Sequence, residues 1–386
     1  MTLSKVSIDV SAIPTQPAGA GRYVVELVRA LGVLDAPRLA LLSRKGDADR
    51  WRELAPGADV LDVVPSARPV RLAYERLALA GQIRRLGVEV HHGPHYTMPG
   101  HVAVPVVVTI HDLTFFDAPG LHERSKVAFF TRAIKRAARE ASVLVCVSER
   151  TSARLHELVD VRMPVVVAPH GIDHERFVAD GVAAGDDERL LAAVGLGQGT
   201  PRIVCVGTLE PRKGLLELLD AFDELAGGSP ALELVLAGQR GWGLESFDRR
   251  LALSRARSRI HVLGYVPDEV IPPLLRSASV VAYPSVDEGF GLPALEALAC
   301  GAPVVTTLGS VMAELCGEAP WLVAPGDAGS LRVGLSRALG APSEELERRR
   351  ALGLARAQSF SWSLTAERHL EAYALAASRG RSGTAK

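Results

Sequence analysis

Two short stretches carry the residue types that could do chemistry. Residues 288–296 read EGFGLPALE, with Glu288 and Glu296 flanking Gly289, Gly291 and Pro293. Residues 210–214 read EPRKG, which sets Arg212 beside Lys213. Two adjacent cations just ahead of a helix make an anion site, because a helix N-terminus offers unpaired N–H groups and a partial positive charge. Arg grips phosphate oxygens in a fork and Lys adds a point charge. Gly289 and Gly291 let backbone come close to a ligand, and a carboxylate accepts from a pair of sugar hydroxyls. Together the stretches suit a ligand with both polyol groups and phosphate. Plainer readings stand beside this one. RKG is also an ordinary solvated turn, and a Glu near a helix start meets the dipole. The dipole accounts for Glu296 but leaves Glu288 and the glycines unexplained. A glycosidase carboxylate pair is a further alternative, which leaves the cationic loop without a purpose. The Walker order GxxxxGK[ST] is absent.

The elements that must position these loops are short, β-branched apolar runs. VSIDV (6–10), LALLS (39–43), VEVHH (88–92), VPVVVTIHD (104–112), VLVCVS (143–148) and VVVAPH (165–170) read as buried parallel strands. Helical patterns such as 21–34 and 126–141 alternate with them, the signature of βαβ units on a doubly wound sheet. The stretch 177–201 is polar, glycine-rich and without a strand, and reads as the link to a second domain. A second series follows: RIVCVGTL (202–209), LELVLAG (232–238), IHVLGYV (260–266), VVAYPS (280–285) and APVVTT (302–307). The expected organisation is an α/β chain of two Rossmann-like domains, 1–178 and 179–360, with a last amphipathic helix over 361–380 and a frayed tail, RGRSGTAK. In open α/β sheets ligands bind outside the carboxyl ends of the strands, and both reactive stretches directly follow strands. Two such domains facing each other would enclose a central cleft.

Composition sets the outer bounds. The chain has 386 residues, 48% hydrophobic and 23% charged, with a formal net charge of zero, so it carries no overall basic footprint for nucleic acid. Residues 1–170 hold 22 Lys plus Arg against 17 Asp plus Glu, a net of +5, and the remainder carries −5. Cys146, Cys205, Cys300 and Cys316 form no CxxC pair, which argues against disulfides and zinc. No apolar run approaches ~20 residues, and the start MTLSKVSIDV reads as a first strand rather than a leader. The expected location is the cytoplasm, with the inner face of the membrane as an extension of it.

E-G-F-G-L-P-x-L-E, with R-K-G about 75 residues upstream, resembles glycosyltransferase family 4, a retaining group. The resemblance spans nearly the whole chain. It includes A-G-A-G-R-Y (18–23), T-I-H-D (109–112), A-P-H-G-I-D (168–173), G-Y-V (264–266) and F-S-W (360–362). It implies the GT-B architecture, two Rossmann-like domains and a cleft, with the last helix crossing back to an acceptor-binding first domain. It also implies roles. Arg212 and Lys213 resemble the pair that binds the donor diphosphate and stabilises its departure. Glu288 resembles the acid that holds the transferred sugar's hydroxyls, and Glu296 the acid that binds the ribose. Backbone near Phe290, Gly291 and Leu292, and at Gly207, adds donor contacts, and the Tyr265–Val266 backbone matches where the base is held. Gly19 and Gly21 would let a first-domain loop close over the diphosphate, and His111 resembles a histidine facing the donor sugar. There are departures. Thr208 stands where some relatives carry a basic residue, and His170 where Asn is frequent. The first throws phosphate binding onto Arg212 and Lys213.

The expected function is therefore a retaining hexosyltransferase that needs no metal or cofactor, the nucleoside-diphosphate sugar being a substrate. Preorganised cations and helix amides would stabilise the leaving diphosphate. The T-I-H-D-L-T-F-F-D and V-G-T-L-E-P-R-K segments look most like mannosyltransferases of bacterial polysaccharide and glycolipid pathways, which favours GDP-mannose as donor and a glycan or lipid-linked acceptor. The alternative class is a non-catalytic sugar-nucleotide-binding or scaffold subunit, against which the intact Arg212, Lys213, Glu288 and Glu296 argue. Other features have lesser readings. GAGRYV (19–24) has two glycines of a dinucleotide fingerprint but lacks the third and does not directly leave a strand. His91, His92 and His95 have no accompanying acid or Cys, and read as loop or cleft-lining residues rather than a metal site. On 123–140, Val127, Phe130, Ile134, Ala137 and Ala138 form an apolar stripe and Arg132, Lys135, Arg136 and Arg139 a basic side. With 68–85, this helix either packs on a core with a solvated basic face or rests on an anionic membrane.

Overall fold

Runs of Val, Ile and Leu with one residue in two on each face bury both sides of a strand, which is the state of parallel sheets flanked by helices. The computed structural model, which describes residues 3–17, 19–34, 37–180, 184–286 and 288–383, contains two such sheets. The first is formed by β1 (Lys5–Asp9), β2 (Arg38–Arg44), β3 (Asp59–Val64), β4 (Val90–Gly93), β5 (Val106–Ile110), β6 (Val143–Cys146) and β7 (Val165–Val167). Its order is β3-β2-β1-β4-β5-β6-β7, and every pairing is parallel. The second comprises β8 (Arg202–Val206), β9 (Glu233–Ala237), β10 (Ile260–Gly264), β11 (Val280–Tyr283), β12 (Val304–Thr307) and β13 (Trp321–Val323). Its order, β10-β9-β8-β11-β12-β13, is again wholly parallel. In each sheet the strand order reverses at one place, between β1 and β4 and between β8 and β11. Those are the switch points where doubly wound sheets bind ligands.

Two strands go beyond the expected series, β3 and β13. Several strands also end before their apolar runs do. β5 stops at Ile110 and β8 at Val206, so His111 and Gly207 lie in the loops that follow. Of the three histidines read as loop or cleft-lining residues, His91 and His92 are on β4 and fall on opposite faces, and His95 lies in the loop after it.

The chain divides into a first unit, Met1–Gly171 with Trp362–Lys386, and a second, Ile172–Ser361. The division lies seven residues before the expected 178/179 boundary. The reason is local. Ile172 N–H donates to Phe360 C=O (3.2 Å), the His174 ring bonds the same carbonyl, and Arg176 pairs with Asp268. The expected linker 177–201 contains a helix, Ala184–Ala193, tied in by Arg276, whose guanidinium forks onto Asp187.

The last helix, Trp362–Gly383, belongs to the first unit. Ala366, Ala372, Tyr373, Ala376 and Ala377 join the core of Val6, Ile8, Tyr23, Leu27 and Trp51. The expected frayed tail is helical through Gly383, and 384–386 lie outside the described residues. In the helix Arg124–Glu140, Ile134, Ala137 and Ala138 are buried and Phe130 packs against the same cluster, so the apolar stripe faces the core. Arg136 is not part of a free basic side: it donates to the Met98 and Pro99 carbonyls and to Glu140. Among the described residues no helix is long and apolar enough to cross a membrane.

Candidate active site

The second unit's switch point gathers the reactive stretches. β8 ends at Val206, and Gly207 N–H donates to Ala237 C=O. Pro211–Lys213 forms one tight helical turn, then Gly214 caps the helix Leu215–Gly228. On the neighbouring strand β11 ends at Tyr283, and a loop carries Glu288 to Gly291, the cap of the helix Leu292–Ala299 with Pro293 in its first turn. Val286 N–H donates to Arg212 C=O (2.9 Å) and locks the two loops together. Both caps require glycine. Gly214 has φ +66° and a side chain there would come within 2.4 Å of the Pro284 carbonyl oxygen. Gly291 has φ +96° and would meet Met312 Cγ at 2.5 Å. An L-residue pays roughly 1–2 kcal/mol for such a backbone conformation before any clash.

These loops place three charges in one cluster. Lys213 Nζ lies 2.5 Å from Glu288 Oε1, and Arg212 Nη1 lies 2.5 Å from Glu288 Oε2. Each carboxylate oxygen thus has its own cation. Arg212 also reaches Glu210 (2.9 Å), and Lys213 donates to the Tyr283 hydroxyl (2.9 Å). Lys213 is only 7% exposed. Burial raises the Glu288 carboxyl, but the charges and hydrogen bonds of Lys213 and Arg212 outweigh it and bring it down to about 2. Burial likewise pulls the Lys213 ammonium down, and the charge of Glu288 overrides it, leaving the group above the usual lysine range. Both stay ionised at every physiological pH. Burial holds Tyr283 above the usual phenol range, so it meets Lys213 as a neutral acceptor.

The remaining second-unit expectations lie on the segments that follow β10 and β11. Glu296 is buried, 4% exposed, and is the fifth residue of its helix. That puts it in the second turn rather than the first, because Leu292 and Pro293 already occupy the first two helical positions. Phe290 is buried edge-on against Phe360, Leu292 begins the helix, and Val266, buried behind exposed Tyr265, follows β10 on the same edge of the sheet. Two polar residues here were not anticipated. Tyr283 links Lys213 to the sheet, and Ser285 has a buried Oγ with no hydrogen-bond partner among the described residues. The only sequence signal for either is its place immediately around the end of β11.

Gly19, Gly21 and His111 lie in the first unit. Gly19 caps the helix Ala20–Gly32, and Gly21 is buried in its first turn. Tyr23, one turn in, sets its ring edge against His111 (4.9 Å) and stacks on His170 (4.9 Å). His111 donates from Nε2 to the Pro94 carbonyl (2.8 Å). Burial holds it below the usual imidazole range, so the ring is neutral. Its Nδ1 is then a buried lone pair with no partner among the described residues, suited to accept from a hydroxyl.

Behind His111 runs a hydrogen-bond chain whose direction can be worked out. His369 Nδ1 can only donate to the Thr365 carbonyl (2.7 Å), and burial brings that ring down to about 4, so its Nε2 accepts from Tyr23 OH (2.7 Å). Tyr23 oxygen therefore accepts from Thr109 (3.0 Å), Thr109 accepts from His92 Nε2 (2.8 Å), and His92 Nδ1 accepts from Tyr373 OH (2.9 Å). Five buried polar groups are satisfied with one proton each, and they tie the last helix to β4, β5 and the helix behind Gly19. His91 is occupied separately by Ser7 (2.9 Å). No group of His, Cys, Asp and Glu able to hold a metal occurs among the described residues.

With this geometry in place, likeness to known proteins is informative. Residues 17–176 match the family described as Glycosyltransferase Family 4, and residues 200–340 the one described as Glycosyl transferases group 1. The O-antigen chain mannosyltransferase B of Escherichia coli is 28% identical, over 92% of this chain and 96% of its own. The D-inositol 3-phosphate glycosyltransferase of Frankia alni is 30% identical, over 92% and 94%. Among solved structures, sucrose-phosphate synthase of Thermosynechococcus elongatus superposes with a TM-score of 0.76 at 20% identity, over 99% of this chain and 98% of that one, which speaks to the fold. The chain belongs to glycosyltransferase family 4 and has the GT-B fold.

Proposed function

We propose that this chain is a retaining, metal-independent hexosyltransferase. It moves mannose from GDP-mannose to a glycan or lipid-linked acceptor in cell-envelope polysaccharide or glycolipid synthesis. The observation that carries the reading is the Arg212–Glu288–Lys213 cluster at the second unit's switch point, beside two helix N-termini. Support for mannose comes from the similarity to the Escherichia coli O-antigen chain mannosyltransferase B. The inositol phosphate enzymes show that similar chains serve other acceptors.

The cluster suggests how the donor engages. A diphosphate competes with Glu288 for Arg212 and Lys213. As it takes those cations, the Glu288 carboxylate is released to accept from the sugar's hydroxyls. The anomeric C–O bond to the diphosphate breaks as a new C–O bond to the acceptor forms on the same face, and the acceptor's proton passes to a leaving phosphate oxygen. Arg212 and Lys213 stabilise the charge that grows on that oxygen. Glu296 holds the ribose, backbone at Gly207, Phe290, Gly291 and Leu292 lines the phosphates and sugar, and the Tyr265–Val266 backbone meets the base. Gly19, Gly21 and the His111 lone pair serve from the first unit.

The test is nucleotide release from GDP-mannose, UDP-glucose, UDP-N-acetylglucosamine and UDP-galactose, with and without EDTA. Release from GDP-mannose that EDTA leaves unchanged is the expected result. Release that EDTA abolishes would remove metal independence, and release from a UDP-sugar alone would reassign the donor.

A further inference from the structure

The first unit has a switch point of its own, and a cavity of about 290 Å³ sits there. Asp9, Arg68, Arg71, Glu75 and His95 line it. Asp9 accepts from Ser11 N–H (2.9 Å) and Arg71 donates to the Ser11 carbonyl (3.2 Å), so both are held in place by the loop after β1. Burial, reinforced by the Asp9 charge, pushes the Glu75 carboxyl up to about 7. His95 Nδ1 is buried without a hydrogen-bond partner among the described residues. This is a hydrogen-bonding pocket of the kind that fixes a hydroxylated group.

The pocket does not end there. Leu72, Glu75, Thr97 and Phe129 also line a second, adjoining cavity of about 780 Å³. Its walls are different: Leu72, Leu77, Met98 and Phe129 are apolar, and Arg76 and Arg132 stand exposed beside them. Arg68, Arg76 and Arg132 form no ion pair with any described carboxylate, unlike Arg136 on the same wall, which pairs with Glu140. The helix that forms one wall, Arg68–Leu77, buries none of its residues, and it leaves Leu77 81% and Val70 54% exposed. An amphipathic helix with arginines and uncovered apolar side chains, and no core of its own, is built to meet something amphipathic and anionic.

We propose that these joined cavities bind a single lipid phosphate, with its hydroxylated end at Asp9, Glu75 and His95, its phosphate among the unpaired arginines and its apolar chain along Leu72, Leu77, Met98 and Phe129. This rests on the reading above that the first unit receives the acceptor, and it makes that acceptor a phosphate-bearing lipid rather than a free glycan.

The test is calorimetric titration of the full chain with farnesyl monophosphate below its micelle concentration, and with farnesol and inorganic phosphate as halves of the same molecule. The whole lipid phosphate binds, and each half binds at least about tenfold more weakly, since neither satisfies both walls. The double variant Arg76→Ala/Arg132→Ala weakens binding about tenfold, the loss of two exposed charge contacts within their usual range. Leu77→Asp weakens it as well, at a position too exposed to disturb folding. Titrating GDP and UDP into the same samples separates the two claims. Nucleotide binding without farnesyl phosphate binding overturns the lipid site alone. Farnesyl phosphate binding without nucleotide binding overturns the donor reading and leaves the lipid site standing. Farnesyl phosphate binding equal to that of inorganic phosphate, or unaltered in the variants, overturns the proposal. So does pelleting with phosphatidylglycerol vesicles by a chain that ignores farnesyl phosphate, because that is contact with a surface and not occupancy of the cavities.

Discussion

Replacing Glu288 by Gln removes the charge that both Arg212 and Lys213 face, and its cost can be worked from the structure. Glu288 is brought from its ordinary 4.5 to about 2. That difference corresponds to about 3 kcal/mol of folding stability at neutral pH. The same size follows from a second route, since leaving a buried cation without its partner costs roughly 3–5 kcal/mol. The sign is fixed by linkage. A carboxyl depressed on folding contributes its stability above its unfolded value and loses it as pH falls toward the folded one. Urea unfolding should therefore show the Gln variant about 3 kcal/mol less stable than the wild type at pH 7. The gap should hold down to about pH 4.5 and then close by about 1.4 kcal/mol per pH unit. A gap that is absent at pH 7, or that persists unchanged to pH 3.5, would refute the ion-pair account. Carbon NMR of the labelled Glu288 carboxyl reads the same quantity directly: no titration above about pH 3 is expected.

Other consequences follow from the same geometry. Lys213→Ala should lower turnover by about 10²–10³, the usual loss when one preorganised donor to a developing oxyanion is removed, as read by steady-state kinetics on the accepted donor. Gly214→Ala should lower Tm by several degrees, because strain at φ +66° adds to a backbone clash, with at least ~1–2 kcal/mol lost. Tyr373→Phe should cost about 1–3 kcal/mol by leaving His92 Nδ1 without its donor, measured by thermal unfolding, whereas Tyr265→Phe on the surface should not. All four cysteines are buried, and burial pushes Cys205 up to about 11 and Cys300 and Cys316 up to about 12. Native protein at pH 7 should therefore resist a thiol reagent that labels four equivalents in denaturant.

Much of the molecule can be read from its residues, and the exceptions have physical causes. The buried strands announce themselves because a parallel sheet needs uninterrupted Val, Ile and Leu. β3 does not, since Asp59 and Asp62 break its apolar run, and Asp59 is used at the surface to meet Lys5 and Arg38. β13 is three residues long, too short for any period to show. At the site, residue types and spacing identify Arg212, Lys213 and Glu288 as chemical groups. That they neutralise one another is invisible until β8 and β11 are known to be neighbours, because the pair is 75 residues apart in sequence. Tyr283 is hidden for the same reason: in the sequence it is the last apolar residue of a strand. The Tyr373–His92–Thr109–Tyr23–His369 chain spans the first unit from its first helix to its last, and no local pattern encodes it.

The central claim is that Arg212 and Lys213 form a diphosphate site that exchanges Glu288 for the donor. Calorimetric titration of GDP into the wild type and into Arg212→Ala/Lys213→Ala tests it most directly. Binding by the wild type, with at least about a hundredfold loss in the variant for two charge-assisted phosphate contacts, is the predicted result. Equal affinity in the two proteins would contradict it.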